Sequence, residues 1–297
     1  MITASQIKDL YNSQLEVWPD FKNRVDQLKN IELRSFNFGP YIVKAQFNPA
    51  RAVSSNAKLD KATIANRKCF LCEANRPEIQ QGLAINDRFT LLVNPFPILE
   101  EHFTIPLNEH KDQEIKPYIE DLLDFTKIMD QHVLLYNGPQ CGASAPDHIH
   151  FQAVRKGQLP FEEEWKTINK RLLSEYKFGK MEELQNFGRR CIHIQAGTKN
   201  AAQSFFLQIY TQYQLISGNQ DEPKMNLFSL YEDGEWHLFI FPRKTHRPTQ
   251  FFAEGADYKM ISPGAIDIAG VLVLPRREDF DSLDKATISD VFKQVSF

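Results

Sequence analysis

In the stretch YNGPQCGASAPDHIHFQAV, residues 136–154, His148, His150 and Gln152 stand at every second position. A β-strand alternates its faces, so these three side chains project together while Ile149, Phe151 and Ala153 turn the other way. An imidazole can be a neutral nucleophile or a proton carrier near neutral pH. An amide such as Gln152 can donate to a phosphoryl oxygen and carries no titrating proton. Just before the strand, Gly138 and Gly142 let backbone N–H groups turn outward as an anion nest, and Ser144 adds a hydroxyl. Nucleophile, amide donor and anion cradle within one short segment suit phosphoryl transfer. The competing reading is a half-buried strand whose polar face happens to carry two histidines after an ordinary Gly-rich turn.

A second group of reactive side chains lies upstream. Cys69 and Cys72, in CFLC, have the spacing of half a zinc site, whereas Cys141 and Cys191 stand apart. Alone, the pair is either half of a metal site or two reduced thiols. Four scattered cysteines make no disulfide framework, and a cytoplasmic location is expected.

Several elements must position these groups. Apolar spacing predicts two short helices in the first thirty residues, broken at Pro19, followed by strands in IELRSFNF and YIVKAQF. A long polar loop is expected over residues 48–68. RFTLLVNPF and EHFTIPL read as a strand pair, residues 114–131 as a helix, and HVLLYN and DHIHFQAV as strands. Residues 161–177 read as a charged surface helix, and residues 190–297 as a second α+β section. EHFTIPLNEH (101–110) is echoed by WHLFIFPRKTH (236–246), which suggests two related halves. On that alignment SPGAIDIAGVLVLP takes the place of the histidine strand in the second half. The expected division is 1–66, 67–160 and 161–297.

At 297 residues, with 42% hydrophobic and 25% charged residues, the composition is that of a globular protein, and 23 Phe predict an aromatic core. A formal charge of -3 offers no basic field for nucleic acid. No basic segment followed by an apolar one opens the chain, so no signal peptide is expected. No apolar run approaches the ~18 residues of a membrane span.

H-x-H-x-Q after a G-x-S loop resembles the histidine-triad superfamily, in the branch of galactose-1-phosphate uridylyltransferase, diadenosine tetraphosphate phosphorylase and GDP-L-galactose phosphorylase. HIHFQA, NGPQCGASAPDHIH, CFLCEANRP and LLVNPF carry the likeness, which covers about residues 67–155. It implies an α+β fold of two histidine-triad-like halves on antiparallel sheets, with an N-terminal helical extension. It implies a nucleotidyltransferase or phosphorylase acting on a nucleoside diphosphate sugar or a dinucleoside polyphosphate. The nucleophile would be His150, forming a nucleotidyl-histidine, with Gln152 and Ser144 holding phosphate oxygens. Nucleotide contacts fall to Asn94, Phe96, Asn137, Gly142 and Ala143. Arg155, directly after the strand, is a further candidate for a distal phosphate or for the surface. The resemblance completes a structural Cys2His2 zinc site from Cys69, Cys72, His110 and His148, with His102 the alternative third ligand. Partners would be a nucleotide, a phosphate or sugar-phosphate acceptor, and a second copy of the chain. Gln152, in place of the histidine of the hydrolases, implies transfer ahead of hydrolysis. A nucleotide hydrolase and a catalytically silent nucleotide-binding protein are the other readings.

Overall fold

The computed structural model describes residues 2–52, 61–216, 218 and 222–297. Helices Ala4–Val17 and Pro19–Leu28 open the chain, the first closed by a Thr3–Gln6 capping box and the second begun by Pro19 at its first position. Strands β1 (Glu32–Asn37) and β2 (Ile42–Phe47) follow as an antiparallel hairpin. The expected loop over 48–68 contains a 3-10 turn, Pro49–Arg51, and a helix, Lys61–Asn66; its residues 53–60 lie outside the described residues.

Ten strands then form one sheet. They are β3 (Gly82–Ala84), β4 (Thr90–Val93), β5 (Phe103–Pro106), β6 (His132–Asn137), β7 (His150–Arg155), β8 (Lys170–Tyr176), β9 (Gly179–Leu184), β10 (Ile192–Ala196), β11 (Met225–Glu232) and β12 (Glu235–Pro242). Their order is β3-β4-β5-β7-β6-β11-β12-β10-β9-β8, and every neighbouring pair is antiparallel. Read from either edge, the pattern is the same: three strands in sequence, then the fifth strand of the half, then the fourth. The helix Ile119–Ile128 lies between β5 and β6, and the helix Lys199–Ile216 lies between β10 and β11. The halves are therefore repeats, joined where β6 pairs with β11.

Strand order corrects the alignment of the halves. EHFTIPLNEH contains β5, but WHLFIFPRKTH contains β12, whose place is that of β7. SPGAIDIAGVLVLP forms a short helix, Ala265–Ile268, and strand β13 (Val271–Leu274), which joins β2 in parallel to make a separate sheet, β1-β2-β13. Where β7 sets His150 and Gln152 outward, β12 has His237, Phe239 and Phe241 on the same face.

The expected helix over 161–177 is also corrected. It ends at Thr167, because Ile168 turns extended, and Lys170–Tyr176 is the sheet's edge strand. A tight turn at Lys177–Phe178 brings β9 back alongside, and Arg171 is paired with Glu183 directly opposite. Cross-strand pairing overrides helical spacing there.

One face of the large sheet, with Leu134, Tyr136, Phe151, Ile194 and Leu238, packs on the helices Ile119–Ile128 and Lys199–Ile216 through Leu122, Phe125, Phe206 and Ile209. On the other face, Leu135, Phe228, Phe239 and Phe241 meet Val43, Ile266, Leu272 and Val291, from the small sheet and C-terminal helices, and Phe161 from the helix Phe161–Thr167. Covering both faces explains why HVLLYN in β6 is buried at every position. Among the described residues no helix is long and apolar enough to cross a membrane.

Candidate active site

Residues His150 and Gln152 lie on β7, a central strand, and this fixes their direction. β5 pairs with β7 along its length, placing Pro106 opposite His150 and Thr104 opposite Gln152. On the other side the ladder with β6 stops at Leu135↔Gln152, so only β5 flanks His150 by strand pairing. The His150 ring is buried, and its Nδ1 donates to the His148 carbonyl at 2.8 Å. That bond leaves the lone pair on Nε2, facing away from the backbone. Burial lowers His150 to about 4, against the opposing effect of its bond to the His148 carbonyl. The ring is thus neutral and nucleophilic at neutral pH.

Gln152 is oriented by His102, which the sequence reading offered as the alternative third metal ligand. The Ile98 amide can only donate, and it lies 3.2 Å from His102 Nδ1. Nδ1 must therefore accept, and the proton of the neutral ring sits on Nε2. Nε2 donates to Gln152 Oε1 at 2.7 Å. The amide's acceptor end is thereby occupied and its NH2 end is left for the site. Burial holds His102 neutral, lowering it to about 4, and the Arg51 guanidinium adds to that shift. His102 is no metal ligand here.

Cys141 N–H closes a turn on Gly138 O in the loop before β7. Gly142 follows with φ +99°, and a Cβ there would come within 2.5 Å of Gly264 Cα. Both facts demand glycine. Among the described residues the amides of Gly142, Ala143 and Ser144 and the Ser144 hydroxyl have no hydrogen-bond partner, so four donors are available at the loop. Asn137 is placed differently from expectation. Its Oδ1 accepts from Asn226 Nδ2 (3.0 Å) and from Ala265 N (2.7 Å), which commits that oxygen to the interior. Buried Arg243 donates to Asn226 Oδ1 at 2.6 Å and to Pro263 O, so the second half braces the loop from behind.

Cys69, Cys72, His110 and His148 converge, and their ligand atoms all lie within 4.8 Å of one another. Cys69 Sγ is 3.2 Å from His148 Nδ1, and Cys72 Sγ is 3.2 Å from His110 Nδ1. Tetrahedral zinc, with bonds of about 2.0–2.3 Å to N and S, needs ligand atoms between about 3 and 4 Å apart. His148 Nε2 donates to Leu107 O at 2.7 Å, which turns its unprotonated Nδ1 toward the thiols. Burial works against ionisation of Cys69, while bonds from the Leu71 and Cys72 amides favour its thiolate. The four side chains fit a metal ion.

Other expected residues are not gathered in. Arg155 lies at the opposite end of β7, about 16 Å along the strand from His150. It points to the other face and pairs with Glu101 at 2.7 Å. It does not belong to the constellation. Asn94 spends Oδ1 on the Phe96 amide. Phe96 is 41% exposed, with the Arg24 guanidinium 4.3 Å over its ring. Gln113, buried beside His150, was not foreseen at all; a single glutamine in a polar connection carries no signal in one sequence.

Residues 10–155 match the family model of a domain of unknown function (DUF4922), and residues 166–297 match the GDPGP1-like C-terminal domain. Protein APA1 of Saccharomyces cerevisiae (strain ATCC 204508 / S288c) is 31% identical over 100 residues, 31% of this chain; the match spans 30% of that protein's length. The crystal structure of yeast Ap4A phosphorylase Apa2 has a TM-score of 0.59 at 15% identity, covering 95% of this chain and 97% of that one. Its complex with Ap4A has a TM-score of 0.57 at 16% identity, covering 95% and 97%. At these identities the likeness to Apa2 shows the fold. With the strand order and the H-x-H-x-Q site, the matches define a protein of the histidine-triad superfamily. Within it, the chain is similar to the branch that includes the yeast Ap4A phosphorylase.

Proposed function

We propose that the chain is a nucleotidyltransferase of the phosphorylase type, acting on a dinucleoside polyphosphate or a nucleoside diphosphate sugar through nucleotidyl-His150. The observation that carries this reading is the pair of orientations at β7. His150 Nδ1 is bound to the His148 carbonyl, and Gln152 Oε1 is bound to His102, so a free imidazole nitrogen and a free amide donor share one face.

In the first step Nε2 attacks the α-phosphorus, an N–P bond forms, and the P–O bond to the distal phosphate breaks. The departing oxygen leaves with that phosphate. Gln152 Nε2, the Ser144 hydroxyl and the amides of Gly142–Ser144 neutralise charge on the non-bridging oxygens. In the second step an oxygen of inorganic phosphate or a sugar phosphate attacks phosphorus, and the N–P bond breaks to restore His150. Gln152 has no proton to shuttle and cannot activate water as a histidine could, which favours a phosphate acceptor. A zinc ion held by Cys69, Cys72, His110 and His148 would be structural, since protein fills all four positions. It would tie the segment before β3 to His148, two residues ahead of the nucleophile strand.

Incubation with a panel of dinucleoside tetraphosphates and nucleoside diphosphate sugars, without acceptor, tests the reading by intact mass under non-acidic conditions. One substrate class is expected to add a mononucleotide to the wild type, to leave His150→Asn unlabelled, and to be discharged by phosphate. Labelling of His150→Asn to the same extent, or of nothing across the panel, would sink the mechanism.

A further inference from the structure

The β6–β7 ladder stops two pairs before it reaches His150. Its register, Val133↔Val154, Leu134↔Ala153 and Leu135↔Gln152, would next bring Tyr136 opposite Phe151 and then Asn137 opposite His150. That pair is of the same type as Leu135↔Gln152, two residues on, and in a regular ladder it would be closed by backbone bonds. A side chain stands there instead. Gln113 Oε1 accepts from His150 N at 2.8 Å, and Gln113 Nε2 donates to Asn137 O at 2.9 Å and to His150 O at 3.1 Å. The bond that would have run from His150 N–H to Asn137 C=O has become two bonds with an amide between them. Gln113 is itself buried.

Its neighbours fill the same gap. Ile149 N donates to Lys111 O at 2.7 Å, and Gln113 N donates to Pro146 O at 3.1 Å. The connection leaving β5 thus runs as a wedge between the end of β6 and the start of β7.

We infer that Gln113 is the positioning residue of the nucleophile: its inserted amide keeps β6 and β7 apart at Asn137 and His150, and so sets the ring tautomer of His150. The reasoning is geometric. In a regular strand the carbonyl of residue i−2 lies in the plane of the sheet, directed at a neighbouring strand, while the side chain of residue i stands out of that plane. His150 Nδ1 can reach the His148 carbonyl only because the chain leaves ladder geometry before His150, where β7 begins. Close the gap, and the His148 carbonyl turns back into the sheet. The ring then loses the acceptor that holds its proton on Nδ1, and Nε2 is no longer reserved for phosphorus. The same separation leaves room for the Gly142–Ser144 loop to fold clear of β7. The inference rests on the proposed role of His150, but one of its tests does not.

Gln113→Met keeps the length of the side chain and removes both ends of the bridge. Long-range 1H–15N spectra of the imidazoles, with His150→Gln used to assign the signal, read the tautomer without substrate. Wild type is expected to show His150 as the Nδ1–H form, and Gln113→Met as a mixture of both forms. In steady-state kinetics on whichever substrate labels the wild type, Gln113→Met should lower kcat about 100-fold, with KM within about 3-fold. The rate of adduct formation should fall with kcat. Gln113→Asn, one methylene shorter, should lie between the two and serves if the methionine variant does not fold. An unchanged tautomer, an unchanged kcat, or a loss carried by KM alone would overturn the assignment. If no nucleotide labels the wild type, the proposed function fails, while the tautomer spectra still decide the role of Gln113.

Discussion

At the level of single residues, the site works by occupying the wrong ends of its functional groups. His150 and Gln152 each have two faces that could meet a substrate, and in each case a protein partner takes one of them. His102 does this for Gln152, so its effect should run entirely through that residue. His102→Phe is expected to reduce kcat about 10-fold, and Gln152→Ala by more. The double variant should be no worse than Gln152→Ala alone, because the pair forms one unit. Additive losses in that double-mutant cycle would show His102 acting elsewhere. The alternation H-x-H-x-Q made β7 and its outward face readable from sequence. Gln113 and His102 were not readable in the same way, because their roles depend on which backbone groups lie beside them after folding.

Among the elements, the loop 138–147 and the Cys/His cluster hold β7 from two sides. Gly142 meets both the positive-φ requirement and the contact with Gly264, so Gly142→Ala should lower thermal stability and impair adduct formation together. A variant with unchanged Tm and unchanged labelling would contradict this. The cluster makes a separate prediction. Metal analysis should find close to one zinc per chain, and chelation should lower Tm by several degrees, because four ligands join segments far apart in sequence. Zinc content near zero would remove that role. The spacing in CFLC offered Cys69 and Cys72, and the resemblance to the superfamily supplied the other two ligands, His110 and His148. The strand Lys170–Tyr176 was misread because helical spacing is a local signal, whereas its pairing with β9 depends on a turn and a charge partner further along.

Over the whole molecule, the fold class could be read from the chain, but the match between halves could not. Sequence similarity aligned β5 with β12, and only the hydrogen-bonded order shows that β12 repeats β7. Burial of histidines in both halves has a consequence for stability. His102 and His193 are both lowered to about 4, chiefly by burial. A histidine whose folded pKa lies below its unfolded value of about 6.5 favours folding while neutral. Its contribution is complete above pH 6.5 and is lost as pH falls toward 4. For His102 the loss amounts to about 3 kcal/mol. Chemical denaturation should therefore show stability declining between pH 6.5 and 4, and His102→Phe should flatten part of that slope. A profile flat across that range would contradict the neutral buried state.

The junction of β6 with β11 has a mechanical meaning. The ladder there runs from Asn137↔Asn226 to Leu134↔Ser229, so the repeats share one continuous backbone lattice rather than an interface of side chains. A hinge between them would have to break that ladder and the core on both its faces. Domain closure is thus unavailable as a way of shutting a substrate in. Whatever opening and closing accompanies turnover must take place in the chain laid over the sheet, above a floor that does not bend.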